Sequence, residues 1–441
     1  MACSVVRSPI LRNPSVRHYA LAAAAQAAVP SPDVQVLGNK ITVAAVDSNS
    51  PVTQISIVFK AGSRYETYDT QGMSHLLRIA AGLTTSRSTT FGITRNIQQL
   101  GANLTAASDR ETIAYTVQVL RDKVSQALPF LEDVATRQVF KPWEVSDSFP
   151  RLRYEISTVP EECRIIELLH KAAYRTGLGF SLYCLKRQIG EISSETLQHY
   201  VSTWFSGSRC AVVGTGISAS ELSSFASQLQ VSSSDCKTEA SKYYGGDARK
   251  ERNSPVATVA LAFEASGLEK GNEALAFAIL KNAAGTGPCV KWGSGASPLM
   301  KELTAAAGTE PVAASAFNAS YSDSGLFGCI LQTTPDVAGQ VTKAANKWLR
   351  SANISDADIA RGKAALKASI LGATECGETQ LENLTQQVLL RGKVVTPLDL
   401  AAEVDKVSAA DVKNAAKKIS SGRPTVAAIG NIKTVPYSDQ L

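Results

Sequence analysis

The chain has 441 residues, 44% of them hydrophobic and 19% charged, with a formal net charge of +6. That length exceeds one ordinary core and favours two or three domains. The composition is that of a globular protein, and the small, spread charge argues against a nucleic-acid surface. No apolar run approaches the ~20 residues that span a bilayer, so the chain is expected to be at most peripheral to a membrane.

From Met1 to Pro32 there is no acidic residue, while Arg7, Arg12 and Arg17 are spaced among Ser, Val, Ile and Leu. This basic, weakly amphipathic pattern reads as a mitochondrial transit peptide. Arg17-His18-Tyr19 before Ala20 places the expected cut between Tyr19 and Ala20, leaving residues 1–19 outside the mature chain. The plainer alternative is a basic tail that is kept.

Pro51 to Ala61 alternates apolar and polar residues, as a half-buried strand should. Gly62-Ser63-Arg64-Tyr65-Glu66 follows it, and then Gly72-Met73-Ser74-His75-Leu76-Leu77-Arg78-Ile79 on an expected helix. This order of features resembles the opening of the pitrilysin and mitochondrial processing peptidase superfamily. The resemblance implies the inverted zinc motif His-x-x-Glu-His at this point. Two His residues four apart share one helix face and one zinc, and the Glu between them acts as general base on the bound water. Here only His75 is present, because Arg78 and Ile79 stand where Glu and the second His are required. Ile79 cannot ligate, and Arg78 stays protonated and cannot be a base. At roughly 4 Å and an effective dielectric of about 20, a unit-charge pair contributes about 4 kcal/mol, here repulsive and doubled for a dication. The superfamily's third ligand is a Glu some seventy to eighty residues on, a zone that contains Glu155. The motif His75, Arg78, Ile79 is therefore read as degenerate, with no catalytic residue, metal or cofactor assigned.

Asn103–Ala107 and Glu111–Val119 read as hairpin-joined strands, and Leu128–Val139 as a helix. Glu155, Glu161, Glu162 and Glu167 form an acidic stretch, explained equally by a solvated helix face. His170 and His199 lack metal-ligand spacing and are expected at the surface or in caps. Ser193 caps a helix through Leu197, Val201 and Trp204, and an apolar strand over Ala211–Gly214 follows. The polar residues 241–252 read as a linker.

Beyond it the chain repeats itself. Pro255–Ala265 matches Pro51–Ala61 position for position without a gap. The ending recurs as well: Ser408 starts a helix through Val412, Ala416 and Ile419, and the strand Val426–Gly430 follows. The fold class is α+β, with two homologous domains, 20–240 and 253–441, each a mostly antiparallel sheet with helices packed on one face. Within the second copy, Ser355–Leu371 reads as a helix and Tyr321 with Asp323 as turn and strand packing. Gly285-Thr286-Gly287 through Gly293-Ser294-Gly295 is a Gly-rich loop without the Gly-Lys-Ser/Thr of a phosphate loop. The eight cysteines form no Cys-x-x-Cys pair and read mostly as small core residues.

Inside the superfamily the likeness is to the core-subunit family of mitochondrial ubiquinol–cytochrome c reductase (complex III), of the second core type. It is carried by Ser74-His75-Leu76-Leu77-Arg78, Phe91-Gly92-Ile93-Thr94-Arg95, Ser181-Leu182-Tyr183-Cys184 and, above all, Ser315 through Gly328. It implies a structural, non-catalytic subunit on the matrix side of the inner membrane, paired with core protein 1. Cytochrome b, cytochrome c1 and the Rieske iron–sulfur protein are the implied companions, with a Rieske presequence as candidate occupant of the cavity between the core proteins. Two further readings stand beside it. One is an alpha-type, presequence-binding subunit of a processing peptidase, and the other is an active metallopeptidase.

Overall fold

A computed structural model describes residues 31–441 except 234, 235, 237, 288–296 and 352. The expected cut at Tyr19–Ala20, most of the Gly-rich loop, Cys3 and Cys289 lie outside the described residues.

Pro32–Leu441 forms one compact unit built on two sheets. The first half runs β1 (Asp33–Val36), β2 (Thr42–Val46), β3 (Val52–Phe59), α1 (Met73–Ile79), α2 (Thr90–Gln99), β4 (Asn103–Ser108) and β5 (Ile113–Leu120). It continues through α3 (Val124–Thr136), α4 (Pro142–Asp147), α5 (Phe149–Thr158), α6 (Glu161–Tyr174), α7 (Ser194–Trp204), β6 (Cys210–Thr215) and α8 (Ala219–Gln228). The second half runs β7 (Gly246–Glu251), β8 (Ala257–Ser266), α9 (Gly271–Ala284), α10 (Pro298–Ala307), β9 (Val312–Ser320) and β10 (Ser324–Thr333). It ends with α11 (Ala338–Ser351), α12 (Asp356–Gly372), α13 (Gly377–Gln386), α14 (Pro397–Lys406), α15 (Ala409–Ser421) and β11 (Thr425–Gly430).

The strand orders are β1-β2-β6-β3-β5-β4 and β7-β11-β8-β10-β9. Apart from β1 the two are the same topology. One parallel pair occurs in each, β2 with β6 and β7 with β11, and every other pair is antiparallel. The duplicated segments fall on equivalent elements: β3 with β8, α7 with α15, β6 with β11. The Ser caps act as read, with the Ser193 hydroxyl accepting from Thr196 N–H and the Ser408 hydroxyl from Asp411 N–H. The helix expected over Leu128–Val139 starts and stops earlier, as α3.

Residues 241–252 need a correction. They are not a plain linker, because 246–251 form β7, hydrogen-bonded along β11. An edge strand can be held by its backbone ladder alone, so Asp247, Arg249, Lys250 and Glu251 carry no apolar pattern.

Each sheet has its own helices on one face, burying residues such as Ile55, Ile57, Leu77 and Leu131 in the first half and Phe263, Phe277, Phe327 and Leu349 in the second. The other face of each sheet is covered from the opposite half. Leu381 and Leu384 of α13, with Val388 and Leu389 in the π-turn that continues it, pack on Ala44, Val58, Ala211 and Val213 of the first sheet. Reciprocally, Ile165, Leu169, Ala173 and Tyr174 of α6 pack on Ala260, Ala262, Leu326, Ala427 and Ile429 of the second. This is why β6 and β11 are buried throughout and read as apolar runs without alternation.

Candidate functional site

The segment after β3 builds the site by a chain of dependent contacts. At Gly62 a Cβ would lie 2.3 Å from the Asp109 carbonyl oxygen, so only glycine lets the chain pass the β4–β5 turn. Glu66 then turns inward and caps α1. Its carboxylate accepts from Gly72 N–H at 2.8 Å, Ser74 N–H at 2.8 Å and Ser74 Oγ at 2.7 Å. Burial outweighs these bonds and raises the carboxyl to about 7. Gly72 sits at φ +98° with Cys184 packed where its Cβ would be, so no other residue starts this helix without strain.

One turn on, His75 is buried. Cys184 N–H donates to its Nδ1 at 3.1 Å, which assigns the proton to Nε2. Nε2–H donates to Glu155 Oε2 at 3.0 Å. Burial holds the imidazole below its ordinary range, against the opposing pull of Glu155, so it is neutral at neutral pH. α5 thus brings Glu155, the carboxylate noted in the third-ligand zone, onto α1.

The same Oε2 of Glu155 accepts from the Arg78 guanidinium, and its Oε1 accepts from Arg151 Nε at 3.1 Å. Burial alone would raise this carboxyl, but the bonds from His75 and Arg78 bring it down to about 2. Ile79, four residues after His75, is buried in the first core. A cleft of about 360 Å³ opens beside the group, bounded by Ser108, Thr158, Pro160 and Tyr183.

The donor set does not fit a zinc ion. His75 and Glu155 supply two donors, Ile79 supplies none, and the Arg78 guanidinium occupies the carboxylate oxygen a metal would need. Among the described residues no three His, Cys, Asp or Glu side chains converge elsewhere in that way. With no base at position 78, the group has no means of activating water by the superfamily's route.

The acidic stretch is largely committed to internal partners. Glu155 serves His75 and Arg78, Glu161 lies 3.2 Å from Arg252, and Glu167 accepts from buried Arg110 and from Leu182 N–H.

A second cluster lies between the halves, where the β4–β5 and β9–β10 turns meet. Arg64 joins them, donating to Glu111 at 2.6 Å and to Asp323 at 2.5 and 2.9 Å. Ser322 closes the ring on Glu111 through its N–H and hydroxyl. His170 is a correction: it is buried, not a surface residue. Its Nδ1–H donates to Ile166 O and its Nε2 accepts from Tyr321 O–H at 2.7 Å. Tyr321 and Asp323 therefore do more than shape a turn, since they fasten one half to the other. His199 is exposed, as expected. Cys184, Cys210 and Cys329 are buried, and Cys376 is exposed.

Comparison with known proteins places this geometry. Residues 42–186 match the family model "Insulinase (Peptidase family M16)", and residues 191–366 match "Peptidase M16 inactive domain". The human protein named cytochrome b-c1 complex subunit 2, mitochondrial, is 37% identical over 92% of this chain and 91% of its own length. Its rat counterpart is 37% identical over the same shares. The mitochondrial-processing peptidase subunit alpha-2 of Dictyostelium discoideum is 27% identical over 89% of each chain.

Proposed function

We infer function from one premise: this chain belongs to the M16 peptidase family, in the group that includes cytochrome b-c1 complex subunit 2. It is a non-catalytic, peptidase-like structural subunit. The reading that follows is that it serves the mitochondrial cytochrome b-c1 complex as its second core protein. The observation that carries the non-catalytic part is the Arg78 guanidinium on Glu155, beside His75.

In this reading His75, Arg78 and Ile79 are the remnant of a zinc helix, and a tethered cation takes the metal's electrostatic place. Core protein 1 is the partner, with cytochrome b, cytochrome c1 and the Rieske protein in the same assembly, and the matrix side of the inner membrane is the address. Among the described residues no helix is long and apolar enough to cross a membrane, which is consistent with a subunit held by its neighbours. Residues 1–19 act as the transit peptide. The body is organised as residues 20–240 and 253–441, with β7 joining the second.

Electrophoresis of detergent-solubilised mitochondria under non-denaturing conditions tests the assembly. The chain is expected to migrate with cytochrome b, and a free monomer would refute the assignment. Co-purification with a zinc-bearing processing subunit and without cytochrome b would favour the alpha-type reading. N-terminal sequencing of the mitochondrial protein is expected to begin at Ala20.

A further inference from the structure

The two sheets differ at one edge. β1 covers the outer side of β2, antiparallel, with Asp33 opposite Ala45 and Val36 opposite Thr42. The internal repeat identifies the matching strand in the second sheet. Gln54 and Thr258 are equivalent in the gapless match and pair with Thr215 and Ile429. Those residues pair in turn with Val46 and Lys250. Thr42–Val46 therefore corresponds to Gly246–Lys250, and β7 takes the place of β2. The second sheet ends there, and among the described residues no second ladder lies outside β7.

The bare edge is also positively charged at one end. Burial, with the charges of Arg252, Arg164 and Lys186, holds the Lys250 ammonium below the ordinary lysine range, and the acidic groups at this end are Glu251 and Glu161, the latter paired with Arg252. Among the described residues Lys186 and Lys250 make no ion pair. Arg164 is spent on the carbonyls of Ile156, Ser157 and Val159. A cleft of about 410 Å³ flanks the strand between Leu168, Lys171, Ala172 and Arg175.

We propose that β7 is a docking edge for an extended, acidic segment of a partner polypeptide, which adds antiparallel along Gly246–Lys250 as a sixth strand. Backbone pairing supplies the affinity, and Lys186 and Lys250 select the charge. The occupant is a different chain: residues 20–32 of this one contain no acidic side chain, β1 is already seated on β2, and the C-terminal segment meets β7 through side chains, Ser438 on Asp247 and the Val435 and Pro436 carbonyls on Arg249, leaving the backbone edge unpaired among the described residues. The inference stands on the edge itself and is independent of which assembly the chain enters.

The test is amide hydrogen exchange on the full chain with a synthetic peptide, Val-Asp-Val-Glu-Val-Asp, and its counterpart with Lys at each acidic position. The acidic peptide is expected to slow exchange across 246–251 and leave the opposite kind of edge, 103–108, unchanged. The exposed double variant K186E/K250E is expected to bind it about fivefold more weakly, the sum of two cross-strand charge pairs, and to accept the lysine peptide instead. Unchanged exchange at 246–251 under saturating acidic peptide overturns the proposal. So does protection at 103–108 in its place, or equal binding of both peptides by the unaltered chain.

Discussion

Arg78 shows how one side chain can substitute for the charge of an ion. The guanidinium neutralises Glu155 and leaves His75 its hydrogen bond, so both remain satisfied. Restoring the motif with R78E/I79H puts two His residues and a Glu beside Glu155. The expected outcome is one zinc per folded chain by metal analysis, against none for the unaltered chain. Glu66 makes a separate prediction. Its folded carboxyl is raised to about 7 from an ordinary 4.5, so its contribution to stability is greatest below the lower value and is lost as pH rises through the upper one. Between pH 6 and pH 8 the native chain is expected to lose about 1 kcal/mol from this group. Melting curves of E66Q should lack that part of the pH dependence; an unchanged slope would clear Glu66 of the effect.

At the level of elements, the exchanged helices carry the energetics. Ile165 and Leu384 each cover a sheet built by the other half. I165A and L384A are each expected to cost about 2–5 kcal/mol in denaturant unfolding, as large-to-small core changes do. A loss below about 1 kcal/mol would show that the far faces are not true cores. Much of this architecture was legible beforehand. The β3/β8 repeat and the Ser-capped α7 and α15 declare themselves, because a half-buried strand alternates and a hydroxyl at the helix start satisfies one of its free N–H groups. α6 was harder, since Glu161, Glu162 and Glu167 mask the apolar row Ile165, Leu169, Ala173. His170 could not be read as buried, because its partner Tyr321 lies 151 positions away. β7 was invisible for a different reason: its recognition resides in backbone groups that every residue shares. In the α1 site, His75, Arg78 and Ile79 were legible one by one, but the meeting of Glu155 with both His75 and Arg78 depends on where α5 crosses α1.

For the molecule as a whole, Arg64 ties the halves together at one point, bonding Glu111 of the first and Ser322 and Asp323 of the second. R64M would leave Glu111 and Asp323 without their cation in a largely dehydrated setting. A loss of about 3–5 kcal/mol is expected, as for breaking other buried ion pairs, and a double-mutant cycle with D323N would isolate the shared part. If R64M melts like the native chain, the Arg64 ion pairs do not hold the two halves together. Those helices carry one more implication, for the order of events when the chain is delivered N-terminus first. The first sheet is finished by β6 at Thr215, yet its second face stays bare until Leu381–Leu389 arrive. α6 emerges early and waits for β8, β10 and finally β11 at Thr425–Gly430 before its own apolar row has its whole seat. Neither half can close ahead of the other, so maturation becomes a single late step. Until the last strand is delivered, the nascent body presents two unfinished apolar surfaces, the kind of intermediate that chaperones retain.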